Sequence, residues 1–231
     1  MAFRWMQLPP AACDNTLFAY GIIADCQYCN CTNGTYGYSI PKLQEAVDTF
    51  NARQVSHALH LGDFIQQGFS SYDSVAPVYS SMDSAHYYAL GNHEFDITPE
   101  EKPMIISRLG MPDYYYDFTK YNWRFIVLES TELAFYSEEV HPDKVAERDA
   151  LWSAISGDDN AKTWNGGISQ EQLNWLDDIL TDAESKGQKA VVFAHHPVWP
   201  FTRHTLWNYQ DVIDILEMHN NVVEYLSLIH I

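Results

Sequence analysis

Four short stretches of the chain combine residue types that bind divalent cations or move protons: Asp25-Cys26-Gln27, Gly62-Asp63, Gly91-Asn92-His93-Glu94 and His195-His196-Pro197. Carboxylate and amide oxygens suit hard divalent ions, and imidazole is both a borderline ligand and the side chain that exchanges its proton near neutral pH. Taken singly the first two are weak, because an Asp after an apolar run also caps the following helix. A lone His at the end of such a run is more often structural than catalytic. Gly91 to Glu94 is the specific piece, since a tight turn, a neutral oxygen ligand and an imidazole follow one another directly. Their order along one chain says more than any of them alone.

Each stretch closes an apolar, β-branched run, and residues 18–25, 57–63, 87–93, 123–130, 189–196 and 222–226 are predicted strands. Helices are predicted between them. Ser169-Gln170-Glu171-Gln172 has an N-cap and capping-box pattern, with Ile168 and Leu173 placed as a hydrophobic staple and Gly187 beyond the end. Thr98-Pro99-Glu100-Glu101 reads as a second helix start, and 39–54 and 206–219 also read as helical. Strand–helix alternation implies an α/β fold, with function gathered at the carboxyl ends of the strands. Residues 136–167 lack periodicity and are expected to form a long surface insertion. A length of 231 residues fits one domain, 1–231.

The chain carries 31 acidic residues against 13 Lys and Arg, a formal charge of −18. Such a surface repels a phosphate backbone, so nucleic acid is not an expected partner. An acidic protein acting on a phosphate ester must first place positive charge in its site, and divalent ions do this directly. No apolar run has signal-peptide or transmembrane length, which predicts no membrane partner and a cytoplasmic location. Cys13, Cys26, Cys29 and Cys31 lack the second C-x-x-C unit or the His spacing of a zinc site, so they are expected as reduced thiols.

The ordered motifs resemble the calcineurin-like metallophosphoesterases, whose pattern runs D-x-H, GD, GNH-[DE], a His before a proline, then GHxH. Here Gln27 stands where the first motif has His. In that departure the chain is similar to the ADP-ribose/CDP-alcohol diphosphatases, and the likeness extends through 164–176 and Trp207-Asn208-Tyr209. The resemblance implies an α/β/β/α sandwich and two divalent ions, manganese before magnesium or zinc. It implies that Asp63 bridges the ions, with Asp25 and Gln27 on one and Asn92 and His195 on the other; His196 is a weaker alternative to His195. It makes His93 the group that protonates the leaving oxygen, partnered by Glu94 or Asp96. The implied substrate is a small nucleoside diphosphate derivative such as ADP-ribose or CDP-choline, with Asn165, Gly166 and Gly167 as weak candidates for its contacts. His57, His60, His86 and His141 match no motif and read as structural or solvent histidines.

Purple acid phosphatases need a Tyr three residues after the bridging Asp, where this chain has Gln66. A phosphomonoesterase of the same superfamily and an incompetent member that only binds a nucleotide or partner are the alternatives. The latter arises because GHxH is expected after a further strand: residues 221–227 read as its approach, yet the chain continues Leu228-Ile229-His230-Ile231. A truncated domain lacking GHxH and the later strands, weak in metal affinity and turnover, is therefore the expectation.

Overall fold

The structure, a computed structural model, describes residues 2–8 by their backbone and 18–31 and 37–228 in full. Cys13 and His230 lie outside the described residues. Two compact units follow one another, Met1–Pro112 and Asp113–Ile231.

The first unit is built on a four-stranded sheet in the order β1 (Ala2–Leu8), β2 (Phe18–Ala24), β3 (His57–His60) and β4 (Ala85–Tyr88). β1 runs antiparallel to β2, while β2, β3 and β4 are parallel, as apolar strands joined through helices must be. Helix α1 (Ser39–Ala52) buries Leu43, Ala46, Val47 and Phe50, a stripe at helical spacing. Phe50 reaches β2 at Gly21, where an added Cβ would stand 2.5 Å from the ring. Helix α2 (Tyr72–Tyr79) buries Tyr72, Val75 and Tyr79 in spite of Pro77.

The second unit repeats the arrangement with β5 (Tyr116–Lys120), β6 (Trp123–Val127), β7 (Lys189–Phe193) and β8 (Val222–Leu226). β5 is antiparallel to β6, and β6, β7 and β8 are parallel. Helix α5 (Gln170–Ser185) starts as its sequence predicts: the Ser169 hydroxyl accepts the Gln172 N–H at 3.2 Å, and Ile168 and Leu173 are both buried. Leu173, Leu176, Leu180 and Ala183 form its buried stripe, and Gly187 follows at φ 65°. With α6 (Tyr209–Met218) and β6 to β8, this stripe forms the unit's core.

Three expectations need correction. Thr98 does not start a helix: Glu101 reaches back to the Thr98 N–H as a capping box requires, but residues 98–104 close three-residue turns and α3 (Ile105–Leu109) begins later. Pro103, which lacks an N–H, lies in the 3-10 turn Lys102–Met104 that leads into α3. Residues 136–167 are not simply a surface insertion, because they hold α4 (Val145–Ala154), whose Trp152 packs against Phe135 and Trp207. Cys29 and Cys31 are not reduced but joined by a disulfide, and Cys26 is a buried free thiol.

Candidate metal centre

In the first unit the parallel ladder runs on past the strands. The Leu61 N–H donates to Ile23 O at 2.8 Å, Asp25 N–H to Gly62 O at 3.2 Å, Gln27 N–H to Asp63 O at 2.8 Å and Ala89 N–H to His60 O at 2.8 Å. Asp25, Gln27 and Asp63 are thereby held side by side at the carboxyl edge of the sheet. All three sit in the left-handed region, at φ 52°, 48° and 55°. Such backbone costs a non-glycine residue on the order of 1 kcal/mol, and it persists where it serves to aim a side chain.

Asp63 is the centre of this edge. One of its oxygens accepts the His93 backbone N–H at 3.0 Å, and the other accepts the Gln27 amide at 3.3 Å, so the ends of β2 and β4 both reach it. The Asp25 and Asp63 carboxylates come within 4.8 Å of one another. Two carboxylates so close in a mostly buried site repel each other, and a cation between them reverses the sign of that interaction. The donor set of carboxylate and amide oxygens suits manganese or magnesium and includes no thiolate.

Glu94 has a different role from the one expected. Rather than pairing with His93, its fully buried carboxylate accepts the backbone N–H groups of Asp63 at 2.8 Å, Phe64 at 2.5 Å and Gly91 at 2.6 Å. It locks the turn after β3 to the turn after β4, and burial beside the Asp63 charge pushes its pKa up to about 7. Asp96 is the partner of His93, with Oδ2 2.7 Å from Nδ1. The Gln66 side-chain amide and backbone carbonyl flank the same nitrogen at 3.0 and 3.1 Å. Nδ1 is therefore engaged, and Nε2 is the nitrogen left to face a reactant. Burial lowers the imidazole pKa, but the Asp96 hydrogen bond and the charges of Asp63, Asp96 and Glu94 outweigh it and raise the value to about 9.

In the second unit His195 and His196 follow β7, both buried, with rings 5.0 Å apart. His196 is committed to the fold. Ser130 Oγ, at the end of β6, accepts the His196 backbone N–H at 3.1 Å and stands 2.9 Å from Nδ1. Nε2 lies 3.4 Å from Trp164 O, and Tyr225 donates to His196 O at 2.9 Å. Burial, then the neighbouring His195, holds its pKa well below the usual value, so it stays neutral.

Asn165, Gly166 and Gly167 are buried. Asn165 Nδ2 donates to Asn160 O at 2.9 Å, Arg203 O at 2.8 Å and Thr205 O at 3.2 Å. Gly166 passes so close to β6's exit that an added Cβ would meet Ser130 O at 2.3 Å. These three residues brace loops. Of the histidines without a motif, His57 and His60 are fully buried, and His141 Nε2 lies 2.9 Å from the buried Glu129 Oε1. The motifs did not point to the Gln66 contact with His93 or to the clamp made by Glu94. The acidic residue after Asn-His was visible, but its target depends on the sheet register.

The model of the calcineurin-like phosphoesterase family matches residues 19–226. The chain is 29% identical over 245 residues to a manganese-dependent ADP-ribose/CDP-alcohol diphosphatase of Oryza sativa subsp. japonica, covering 89% of this chain and 75% of that protein. It is 27% identical over 274 residues to the human protein of the same name, covering 95% and 79%. A crystal structure of a dimetal phosphatase from Danio rerio superposes with a TM-score of 0.79 at 25% identity, covering 91% of this chain and 80% of that one. Among the described residues no helix is long and apolar enough to cross a membrane.

Proposed function

Since the chain belongs to the calcineurin-like phosphoesterase family and is a hydrolase, we propose that it cleaves the diphosphate linkage of ADP-ribose, CDP-choline or a related nucleoside diphosphate derivative. The observation that carries the reading is the set of Asp25, Gln27 and Asp63, all in left-handed backbone, gathered around one carboxylate at a sheet edge. The names of the relatives support the substrate class.

In this proposal Asp25, Gln27, Asp63, Asn92 and His195 would hold two divalent ions. Manganese is the expected metal. When bound, the ions supply Lewis acidity at the phosphoryl centre and acidify water near neutral pH. The remaining work belongs to side chains. The amide of Gln27, a neutral ligand beside two carboxylates, keeps net positive charge in the site for an anionic substrate. His93 holds a proton at Nε2 and delivers it to the departing phosphate oxygen, while Asp96 fixes the ring through Nδ1.

The test is a substrate panel on metal-stripped protein with manganese, magnesium and zinc restored separately. ADP-ribose should yield AMP and ribose 5-phosphate, fastest with manganese. Orthophosphate as the first product, or preference for a simple phosphomonoester, would overturn the reading in favour of a monoesterase.

A further inference from the structure

The loop after His195-His196-Pro197 carries an unusual cation. Arg203 is exposed and lies over the face of Trp164, its guanidinium carbon 4.9 Å from the ring centroid. The described residues include no carboxylate in ion-pair range of it, although the chain has 31 acidic residues. Arg108, Arg124 and Arg148, by contrast, each hold at least one Asp or Glu.

The platform is built rather than loose. Trp164 O is 3.4 Å from His196 Nε2 and accepts the Tyr136 hydroxyl at 3.3 Å. From the other side Asn165 Nδ2 donates to Arg203 O at 2.8 Å, and Thr202 N–H donates to Thr205 Oγ1 at 2.8 Å. Trp164 is thus tied to His196, and Arg203 lies in a loop that closes back on the same turn, where the Leu206 N–H donates to Pro197 O at 2.9 Å. A guanidinium resting over an aromatic ring keeps its N–H groups available for hydrogen bonds, and its planar fork matches two oxygens of one phosphate. Holding the side chain over the ring beforehand also reduces the ordering that binding would otherwise require.

We propose that Arg203, held by Trp164, is a specificity-determining residue that binds a phosphate of the nucleoside diphosphate substrate. The inference rests on the diphosphatase reading for the identity of that substrate.

The experiment titrates α,β-methylene-ADP, whose bridge cannot be hydrolysed, into the manganese-loaded protein by calorimetry, alongside ADP-ribose kinetics. Arg203→Met should weaken binding about 10–100-fold and raise KM by a similar factor with kcat little changed, as loss of a charge-assisted hydrogen bond implies. Arg203→Lys should recover part of the affinity, and Trp164→Phe should fall between the parent and Arg203→Met. Hydrolysis of bis(p-nitrophenyl) phosphate, which lacks a second phosphate, should change little in all three. Unchanged analogue affinity in Arg203→Met, or no binding by the unsubstituted protein, overturns the inference. If the analogue binds through Arg203 while ADP-ribose is not cleaved, the phosphate site stands and the diphosphatase reading fails; the reverse pattern fails the site alone. Should Arg203→Met not fold, Arg203→Lys carries the test, with at least roughly threefold weaker binding expected from loss of the planar fork.

Discussion

At the scale of single residues, His93→Ala should lower ADP-ribose turnover by about 10²–10⁴, the usual contribution of a positioned general acid. The loss should shrink for a p-nitrophenyl ester, whose leaving group needs no proton; an equal loss on both substrates would remove the acid role. Glu94→Ala asks a different question, because it strands the N–H groups of Asp63, Phe64 and Gly91 together. The expected destabilisation is on the order of 3 kcal/mol, read as a lower urea midpoint, with weaker manganese binding since Asp63 loses its support. A stable variant with unchanged metal affinity would refute the clamp. The placement of Asp25 and Asp63 at the sheet edge was legible because each closes an apolar run. Glu94 was not, because its three partners lie up to 31 residues away and are fixed only by the register of β3 against β4.

Elements set how firmly those residues are aimed. Gly21 lets α1 rest directly on β2, so Gly21→Ala should drive Phe50 out of place and destabilise the unit by about 1–3 kcal/mol. Denaturant unfolding measures it, and a neutral result would mean that the helix moves freely over the strand. The end of β6 offers a pH dependence through Glu129 and His141. Burial raises the Glu129 pKa; burial lowers that of His141, but the Glu129 hydrogen bond and charge outweigh it and raise the net value. Both folded values lie above the unfolded ones, so the folded state holds more protons. The His141 contribution is fully present below about pH 6.5 and is lost as pH rises through its raised folded value. Unfolding midpoints should therefore fall less steeply with rising pH in the Glu129→Gln/His141→Gln double variant than in the parent; equal slopes would refute the coupling. Helix α5 could be read from sequence because cap, staple and stripe agree. Helix α2 could not, because Pro77 reads as a breaker although it stands near the helix end, and β5 hides its apolar face among Asp117, Thr119 and Lys120.

For the whole molecule, charge and metal act together. With a formal charge of −18, added salt should raise the melting temperature of the metal-free protein by screening self-repulsion. Manganese at about 100 times its Kd should add roughly 2.7 kcal/mol if it binds only the folded chain. A melting temperature indifferent to manganese would refute a site built by folding. Each unit has the order antiparallel strand, then three parallel strands, and the boundary at Pro112–Asp113 falls between α3 and β5, interrupting neither. The proposed oxygen donors all belong to the first unit and the proposed imidazole donor to the second. A recombination between two related genes at that boundary would exchange whole sheets while leaving every strand pairing among the described residues intact. Ligand chemistry in the two halves could then be inherited from different parents, so that preference for a metal is reshuffled without redesign of either sheet.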